Sequence, residues 1–152
     1  MQLRPAAGHR LRRGRFSESG RCYLITAACF DHQPYFTGWR YGRCAVRALM
    51  RTVEKADTLC YVVMPDHLHW LLQLRDDAEL SATVQMMKSL SKRLLRELDP
   101  SVDKLWQRGF HDRALRRDED VTAVARYVVA NPLRAGLVQS VREWPLWDAA
   151  WL

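Results

Sequence analysis

Two apolar runs in the middle of the chain, residues 61–64 and 67–74, flank the dipeptide Pro65-Asp66. Proline fixes its φ angle and aspartate can hydrogen-bond to the backbone that follows it, so this dipeptide favours a tight turn. At the start of the second run polar and apolar residues alternate, which is typical of a strand with one buried face. The stretch therefore predicts an antiparallel β-hairpin.

The remaining pattern places strands and helices on both sides of this hairpin. The predicted elements are, in order, a strand over 21–30, a helix over 39–56, the hairpin, a helix over 80–98, two short strands within 105–116 and a helix over 119–130. A hairpin requires antiparallel pairing. We therefore predict an α+β fold, a ferredoxin-like sandwich in which a central antiparallel β-sheet has helices packed on one face.

Two histidines stand at alternate positions of the second hairpin strand. His67 and His69 point to the same side of the sheet, roughly 6.6 Å apart along the strand, while Leu68 and Trp70 point to the other side. Helices are expected to cover Leu68 and Trp70, which leaves the histidine face open. Two imidazoles on one sheet face can hold a metal ion between them. Alternating polar residues are also typical of any solvent-facing side of a strand, and a metal site needs further ligands from elsewhere in the chain.

The charge of the chain favours nucleic acid as a partner. The formal net charge is +7, with 24 Lys and Arg against 17 Asp and Glu, and only four of the basic residues are lysines. Arginine suits bidentate contacts to phosphate and stacking on bases. A GC-rich coding sequence is the alternative explanation for this arginine content.

The 152 residues predict one domain with a basic extension. Residues 1–20 are predicted to form a basic N-terminal arm and residues 21–152 a single domain, since no linker or repeat interrupts them. No apolar run reaches the length of a membrane span, so no membrane partner is expected. The four cysteines lack metal-type spacing and are expected to be free thiols in a cytoplasmic protein.

The last predicted helix carries two further candidate residues. Tyr127 and Asn131 are four positions apart, so they are expected to share a helical face, roughly 6 Å from each other. A deprotonated phenol is a nucleophile, and the amide oxygen of asparagine can bind a hard cation. The alternatives are an aromatic residue at the edge of the core and an asparagine that ends a helix before Pro132.

Four segments of the sequence together resemble a known family. They are LRRGRF at 11–16, MPDHLH at 64–69, WQRGFHD at 106–112 and YVVANPLRAGLV at 127–138. In these segments the chain resembles the REP-associated tyrosine transposases, domesticated relatives of the single-tyrosine insertion-sequence transposases within the HUH endonuclease superfamily. The resemblance extends from about residue 11 to residue 147, although some relatives continue further at the C-terminus.

The resemblance implies a reaction and a set of site residues. His67, His69 and Asn131 would bind a divalent metal, Mg²⁺ or Mn²⁺. Tyr127 would attack the scissile phosphate of single-stranded DNA, giving a 5′-phosphotyrosine link and a free 3′-OH. A second 3′-OH could then reverse the step and transfer the strand. The substrates would be REP elements, which are short DNA hairpins with a tetranucleotide at the 5′ foot, in the bacterial nucleoid.

Nine residues are candidates for binding this DNA. They are Arg12, Arg13, Arg15, Lys88, Lys92, Arg108, His111, Arg126 and Arg134, with Lys88 and Lys92 expected on a basic face of the 80–98 helix. The resemblance implies a monomer, whereas insertion-sequence relatives are dimers that swap the tyrosine helix, and the sequence leaves both open. A non-catalytic ferredoxin-like module that binds nucleic acid is the alternative function.

Overall fold

A computed structural model describes residues 17–150, so Arg12, Arg13 and Arg15 of the predicted arm lie outside the described residues. The strands are β1 (Cys22–Ala28), β2 (Ala56–Met64), β3 (His67–Leu74), β4 (His111–Ala114) and β5 (Trp147–Ala149). The α-helices are α1 (Trp39–Met50), α2 (Leu80–Leu98), α3 (Val121–Val129) and the single-turn α4 (Asn131–Arg134). Within these residues no helix is both long and apolar enough to cross a membrane. The four cysteines are free thiols, as expected.

The five strands form one sheet in the order β4-β1-β3-β2-β5, and every neighbouring pair is antiparallel. The first four strands and the helices between them follow the βαββαβ order of the ferredoxin-like motif. The strand β5 extends this sheet beside β2. The predicted α+β fold with a central antiparallel sheet is therefore confirmed.

The two long helices pack on one face of the sheet, as predicted. Ile25, Leu68, Trp70 and Leu72 are fully buried in the core between this face and the helices α1 and α2. The indole N–H of Trp70 donates to the hydroxyl of Thr58 at 2.9 Å, which pairs the polar atom of this buried ring.

The predicted element bounds hold closely for α2 and less closely for two other segments. The helix α1 ends at Met50 rather than at residue 56, because the chain turns there and β2 begins at Ala56. The buried hydroxyl of Thr52 donates to the carbonyl oxygen of Leu49 at 2.7 Å within this turn. In place of the strand predicted at 105–107, the structure has a single antiparallel β-bridge between Cys29 and Trp106.

The helix α3 packs on the opposite face of the sheet. Its Ala125, Val128 and Val129 form a second core with Val62, Met64 and other apolar residues. These three positions follow helical i, i+3, i+4 spacing, so they form one apolar stripe. The strand β2 can receive this stripe because both of its faces are apolar, with Tyr61 and Val63 in the first core. The expectation of helices on one face thus holds for α1 and α2, and α3 adds a layer on the other side.

Candidate active site

The two histidines of β3 lie side by side on one face of the sheet. Their Nε2 atoms are 3.1 Å apart, and the ring centroids are separated by 4.8 Å with the ring planes at 89°. This closeness follows from their alternate positions in a strand, as the sequence predicted. The two side chains therefore place two nitrogen atoms of the kind that bind metals next to each other.

The other ring nitrogen of each histidine is held by a polar neighbour. The Nδ1 atom of His67 lies 2.7 Å from a carboxylate oxygen of Asp66, and Nδ1 of His69 lies 3.1 Å from the hydroxyl of Thr26. Hydrogen bonds of this kind fix the ring orientation, and they assign the proton to Nδ1 when Nε2 binds a metal. Sequence reasoning had treated Asp66 only as a turn residue and had missed Thr26, which lies opposite His69 in the β1–β3 register.

The surroundings of His69 favour its neutral form. Burial, followed by the positive charges of His67 and Arg134, lowers the pKa of His69 from its ordinary value of 6.5 to about 4. A metal ligand must be a neutral imidazole, and this environment keeps His69 neutral well below pH 6.5.

The helix that carries Tyr127 lies on the histidine side of the sheet. In the β2–β3 register, Val62 is opposite His69 and Met64 is opposite His67, so these four side chains point to the same face. The helix α3 packs on Val62 and Met64. The histidine face, expected to be open, is thus bordered by a helix over the neighbouring strand.

The ring of Tyr127 lies at the surface, with 64% of the residue exposed. The guanidinium carbon of Arg134 is 3.6 Å from the centre of this ring, a cation–π contact, and Nη1 of Arg134 donates to the carbonyl oxygen of Tyr127 at 2.6 Å. The phenol is therefore accessible to a large substrate and has a positive charge beside it.

Asn131 does not continue the helix of Tyr127, because α3 ends at Val129 and Asn131 begins the separate turn α4. The predicted shared helical face is therefore wrong. The side-chain Nδ2 of Asn131 donates to the carbonyl oxygen of Val128 at 2.8 Å, so Asn131 and Arg134 both satisfy carbonyl groups at the end of α3. This hydrogen bond uses the Nδ2–H group of Asn131, and the Oδ1 atom takes no part in it. The turn α4 also contacts β2.

The Nε2 atoms of His67 and His69 fit part of the coordination sphere of a divalent metal. The two Nε2 atoms lie 3.1 Å apart, so both would be able to bind one divalent ion. Residues 17–150 contain no group of three or more His, Cys, Asp or Glu side chains that could hold a metal. The remaining positions would therefore fall to an amide oxygen such as that of Asn131, to water or to phosphate.

A cavity of about 280 Å³ lies beside His67. Its lining includes His32, Arg108 and His111, and two of these, Arg108 and His111, are sequence-predicted DNA contacts. Arg108 and His111 are both exposed, so their positive or polar ends are available to a ligand in the cavity. The structure thus brings these two candidates next to the histidine pair, and it adds His32.

Lys88 does not lie on an exposed basic face. Only 8% of the residue is exposed, and its ammonium group donates to the carbonyl oxygens of Gln107, at 2.9 Å, and of Gly109. Burial lowers the pKa of Lys88 to about 8. The prediction that Lys88 lies on an exposed basic face is therefore wrong, because the loop around Arg108 covers its side chain. Lys92 is half-buried and Arg126 is exposed.

Comparison with known proteins relates the chain to transposases. It is 29% identical over 99 residues to a Haemophilus influenzae protein described as a REP-associated tyrosine transposase, and the match covers 59% of this chain and 56% of the relative. It is also 29% identical to the REP-associated tyrosine transposase of Escherichia coli K12, over 87 residues, 56% of this chain and 49% of the relative. The chain thus spans about half the length of the curated relatives it matches.

The fold also matches a solved structure. A REP-associated tyrosine transposase bound to a REP hairpin superposes with a TM-score of 0.70 at 20% identity, covering 88% of this chain and 79% of that one. At this identity the match concerns the fold alone. The family model described as IS200-like transposase matches residues 43–131, more than half of the chain, and this range includes His67, His69, Tyr127 and Asn131. The chain therefore belongs to the IS200-like transposase family.

Proposed function

We propose that this protein is a metal-dependent single-stranded DNA endonuclease and strand transferase that acts on REP-type hairpins through a 5′-phosphotyrosine intermediate. The observation that carries the proposal is the packing of α3, the helix of Tyr127, on the sheet face that holds His67 and His69. The REP hairpin bound by the structurally similar transposase supports the same substrate class.

In the proposed cleavage step, Tyr127 is the nucleophile. Its Oη atom loses its proton to water and forms a bond to the scissile phosphorus, while the bond between phosphorus and the 3′ oxygen breaks. The departing 3′ oxygen takes up a proton and becomes a free 3′-OH. The guanidinium group of Arg134, which lies over the ring, favours the negative charge of the attacking phenolate.

His67, His69 and Asn131 would hold the divalent ion, Mg²⁺ or Mn²⁺. When bound, this ion supplies Lewis-acid activation of the phosphoryl oxygen. Asp66 and Thr26 keep the two imidazole rings in their orientation through the Nδ1 contacts. Two imidazoles and one amide suit Mn²⁺ better than Mg²⁺, because Mg²⁺ prefers oxygen ligands.

Strand transfer would reverse the first step. A 3′-OH from another strand attacks the phosphotyrosine, the phenolate leaves and takes up a proton, and the energy of the phosphodiester bond is conserved without ATP. Arg108 and His111, which line the cavity beside His67, are the proposed phosphate contacts nearest the reaction. Lys92, Arg126 and the arginines of the basic arm are proposed as further DNA contacts. We propose that residues 21–152 act as one domain, as a monomer, on the DNA of the bacterial nucleoid.

The test is formation of a covalent adduct. The protein is incubated with a labelled REP-type hairpin that carries a single-stranded 5′ foot and with Mn²⁺, and denaturing electrophoresis detects the adduct. We expect Tyr127→Phe to abolish the adduct while hairpin binding is retained. Tyr61→Phe is the matched control, because Tyr61 lies in the core on the opposite face of the sheet. It should retain the adduct.

Two outcomes would contradict the proposal. An adduct that persists in Tyr127→Phe would show that another residue is the nucleophile. The absence of any adduct with the unaltered protein, across a range of hairpins and with both Mn²⁺ and Mg²⁺, would favour a module that binds nucleic acid without cutting it.

A further inference from the structure

The outer face of α1 carries a row of arginines that the proposed reaction does not use. The inner face of this helix is buried through Cys44, Ala45, Ala48 and Leu49. Arg40, Arg43 and Arg47 are exposed on the other side at i, i+3 and i+7, so they follow one another along the helix. The row spans roughly 10 Å of helix axis.

A large aromatic ring stands at the start of this row. Trp39 is the first residue of α1 and is 58% exposed. The guanidinium carbon of Arg43 lies 5.8 Å from the centre of its ring. We call Trp39, Arg40, Arg43 and Arg47 the Trp39–Arg47 surface. The exposed indole is thus within cation–π distance of an arginine on the same helix.

The arginines of this surface have their charges available. None of the three forms an ion pair with another residue in the described range 17–150. A groove of about 210 Å³ runs beside them and is lined by all four residues of the surface, with Glu97 as the one carboxylate in its lining. Among residues 17–150 the surface is therefore a positive strip without ion-pair partners, next to an exposed aromatic ring.

The chemistry of the surface fits a single strand of nucleic acid. Guanidinium groups bind phosphates, and the three arginines follow one another along roughly 10 Å of helix axis, so they can contact successive phosphates of one strand. An exposed indole stacks on a base, and such stacking needs a base that is not already stacked within a duplex. Both features together favour single-stranded over double-stranded DNA.

The surface lies on the opposite side of the sheet from the candidate active site. The helix α1 packs on the face of Leu68 and Trp70, whereas His67 and His69 point to the other face. A strand bound at α1 would therefore be a second contact, separate from the point of cleavage. Continuous DNA that leaves the active site would have to pass around the edge of the sheet to reach it.

We propose that the Trp39–Arg47 surface binds single-stranded DNA, with bases stacked on Trp39 and phosphates paired with Arg40, Arg43 and Arg47. The binding does not depend on cleavage at Tyr127. It would hold a strand that flanks the hairpin, or a second strand, while the active site is occupied.

The experiment measures binding of a fluorescein-labelled twelve-residue oligothymidylate by anisotropy between 50 and 200 mM salt. Trp39→Ala should weaken binding by about 5- to 150-fold, the range for loss of one stacked base, and Trp39→Phe should restore most of it. Arg43→Ala should lower the slope of log affinity against log salt by about 0.7, the value for one phosphate contact to a single strand. Arg142→Ala removes an exposed arginine elsewhere and should leave this slope unchanged.

Covalent mapping and catalysis provide the remaining readouts. Ultraviolet crosslinking of an oligonucleotide that contains 5-iododeoxyuridine should label the peptide of Trp39. Trp39→Ala should still form the Tyr127 adduct at saturating hairpin concentration, so a failure of this proposal is distinct from a failure of the proposed cleavage. The proposal is overturned if Trp39→Ala and Arg43→Ala bind the oligothymidylate as the unaltered protein does, or if the crosslinks fall only outside α1.

Discussion

Arg134 lies over the ring of Tyr127, with its guanidinium carbon 3.6 Å from the ring centre and its Nη1 atom donating to the carbonyl oxygen of the same residue. One cation thus contacts both the side chain and the main chain of the proposed nucleophile. The same positive charge contributes to the lowered pKa of His69. Arg134 therefore couples the end of α3 electrostatically to the histidine pair on β3.

Replacing Arg134 should change the titration of His69. Because the positive charge of Arg134 disfavours protonation of the imidazole, Arg134→Ala should raise the pKa of His69 above about 4. The measurement is an NMR titration of the histidine ring protons in the metal-free protein, with His69→Gln to assign the signal. Arg126→Ala, which removes an exposed arginine on α3, is the control and should leave the midpoint in place. An unchanged midpoint in Arg134→Ala would show that the charge of Arg134 does not affect the pKa of His69.

His69 should also make the stability of the protein depend on pH. Its pKa is about 4 in the folded state and close to 6.5 in the unfolded chain, so between these values the unfolded chain binds more protons. The free energy of unfolding contributed by His69 is fully present above pH 6.5 and is lost as the pH falls toward 4. Urea unfolding at pH 7, 6, 5 and 4.5 measures this trend.

A variant that cannot titrate at this position isolates the contribution of His69. His69→Gln should show a smaller loss of unfolding free energy between pH 6.5 and 4.5 than the unaltered protein. Asp99 and Glu119, whose pKa values are lowered by hydrogen bonds, titrate at the acidic end in both proteins and cancel in the comparison. Parallel curves for the two proteins would contradict the low pKa of His69.

Removing the carboxylate beside His67 should weaken metal binding. Asp66 accepts a hydrogen bond from Nδ1 of His67 at 2.7 Å and so directs Nε2 toward the metal position. Loss of such a partner typically lowers metal affinity by about 10- to 100-fold. We expect Asp66→Ala to show this loss for Mn²⁺ in calorimetry or in electron paramagnetic resonance titration.

The control for Asp66 is an aspartate at the far end of the hairpin. Asp57 is exposed and pairs with Arg75 at 2.8 Å, so Asp57→Ala removes the same charge without touching the histidines. Its Mn²⁺ affinity should remain within about two-fold of that of the unaltered protein, because an exposed charge at that distance is largely screened. Equal losses of Mn²⁺ affinity in both variants would show that the removed negative charge, rather than the contact with His67, lowers the affinity.

The hairpin and α2 could be predicted from the sequence because their signals are local. The turn at Pro65-Asp66 and the alternation after it define β2 and β3, and helical spacing from Leu80 to Leu98 gives both ends of α2. The closeness of His67 and His69 follows from the same alternation. The spacing of Tyr127 and Asn131 makes Tyr127 a candidate, but its role as the nucleophile is implied only by the family resemblance, since an exposed tyrosine on a short helix has no local pattern of its own.

The features that sequence reasoning missed depend on contacts between distant segments. Thr26 lies beside His69 only because of the β1–β3 register, which no local pattern specifies. The side of the sheet that α3 covers depends on β2 having two apolar faces, and an apolar run does not show which layer packs on each. Lys88 fits the polar pattern of a helix surface, and only the fold of the distant 107–109 loop buries it.

Replacing Lys88 should therefore destabilise the protein rather than simply weaken DNA binding. Its ammonium group donates to the carbonyl oxygens of Gln107 and Gly109, and Lys88→Met would leave both acceptors without this donor. We expect the free energy of unfolding to fall by about 1–3 kcal/mol, the usual cost of unsatisfied buried polar groups. Lys92→Met on the same helix, where the side chain is half-buried, is the control and should change it by less than about 0.5 kcal/mol.

The same substitution should affect the loop that carries Arg108. Because Lys88 holds the carbonyl groups on either side of Arg108, its loss should free this loop and move Arg108 away from the cavity beside His67. Amide hydrogen exchange in residues 105–110 should become faster in Lys88→Met and remain unchanged in Lys92→Met. Hairpin affinity should fall in Lys88→Met to the level of Arg108→Ala, since both changes remove the same contact. Hairpin affinity that falls in Lys88→Met without faster exchange in this loop would instead indicate that Lys88 binds DNA directly.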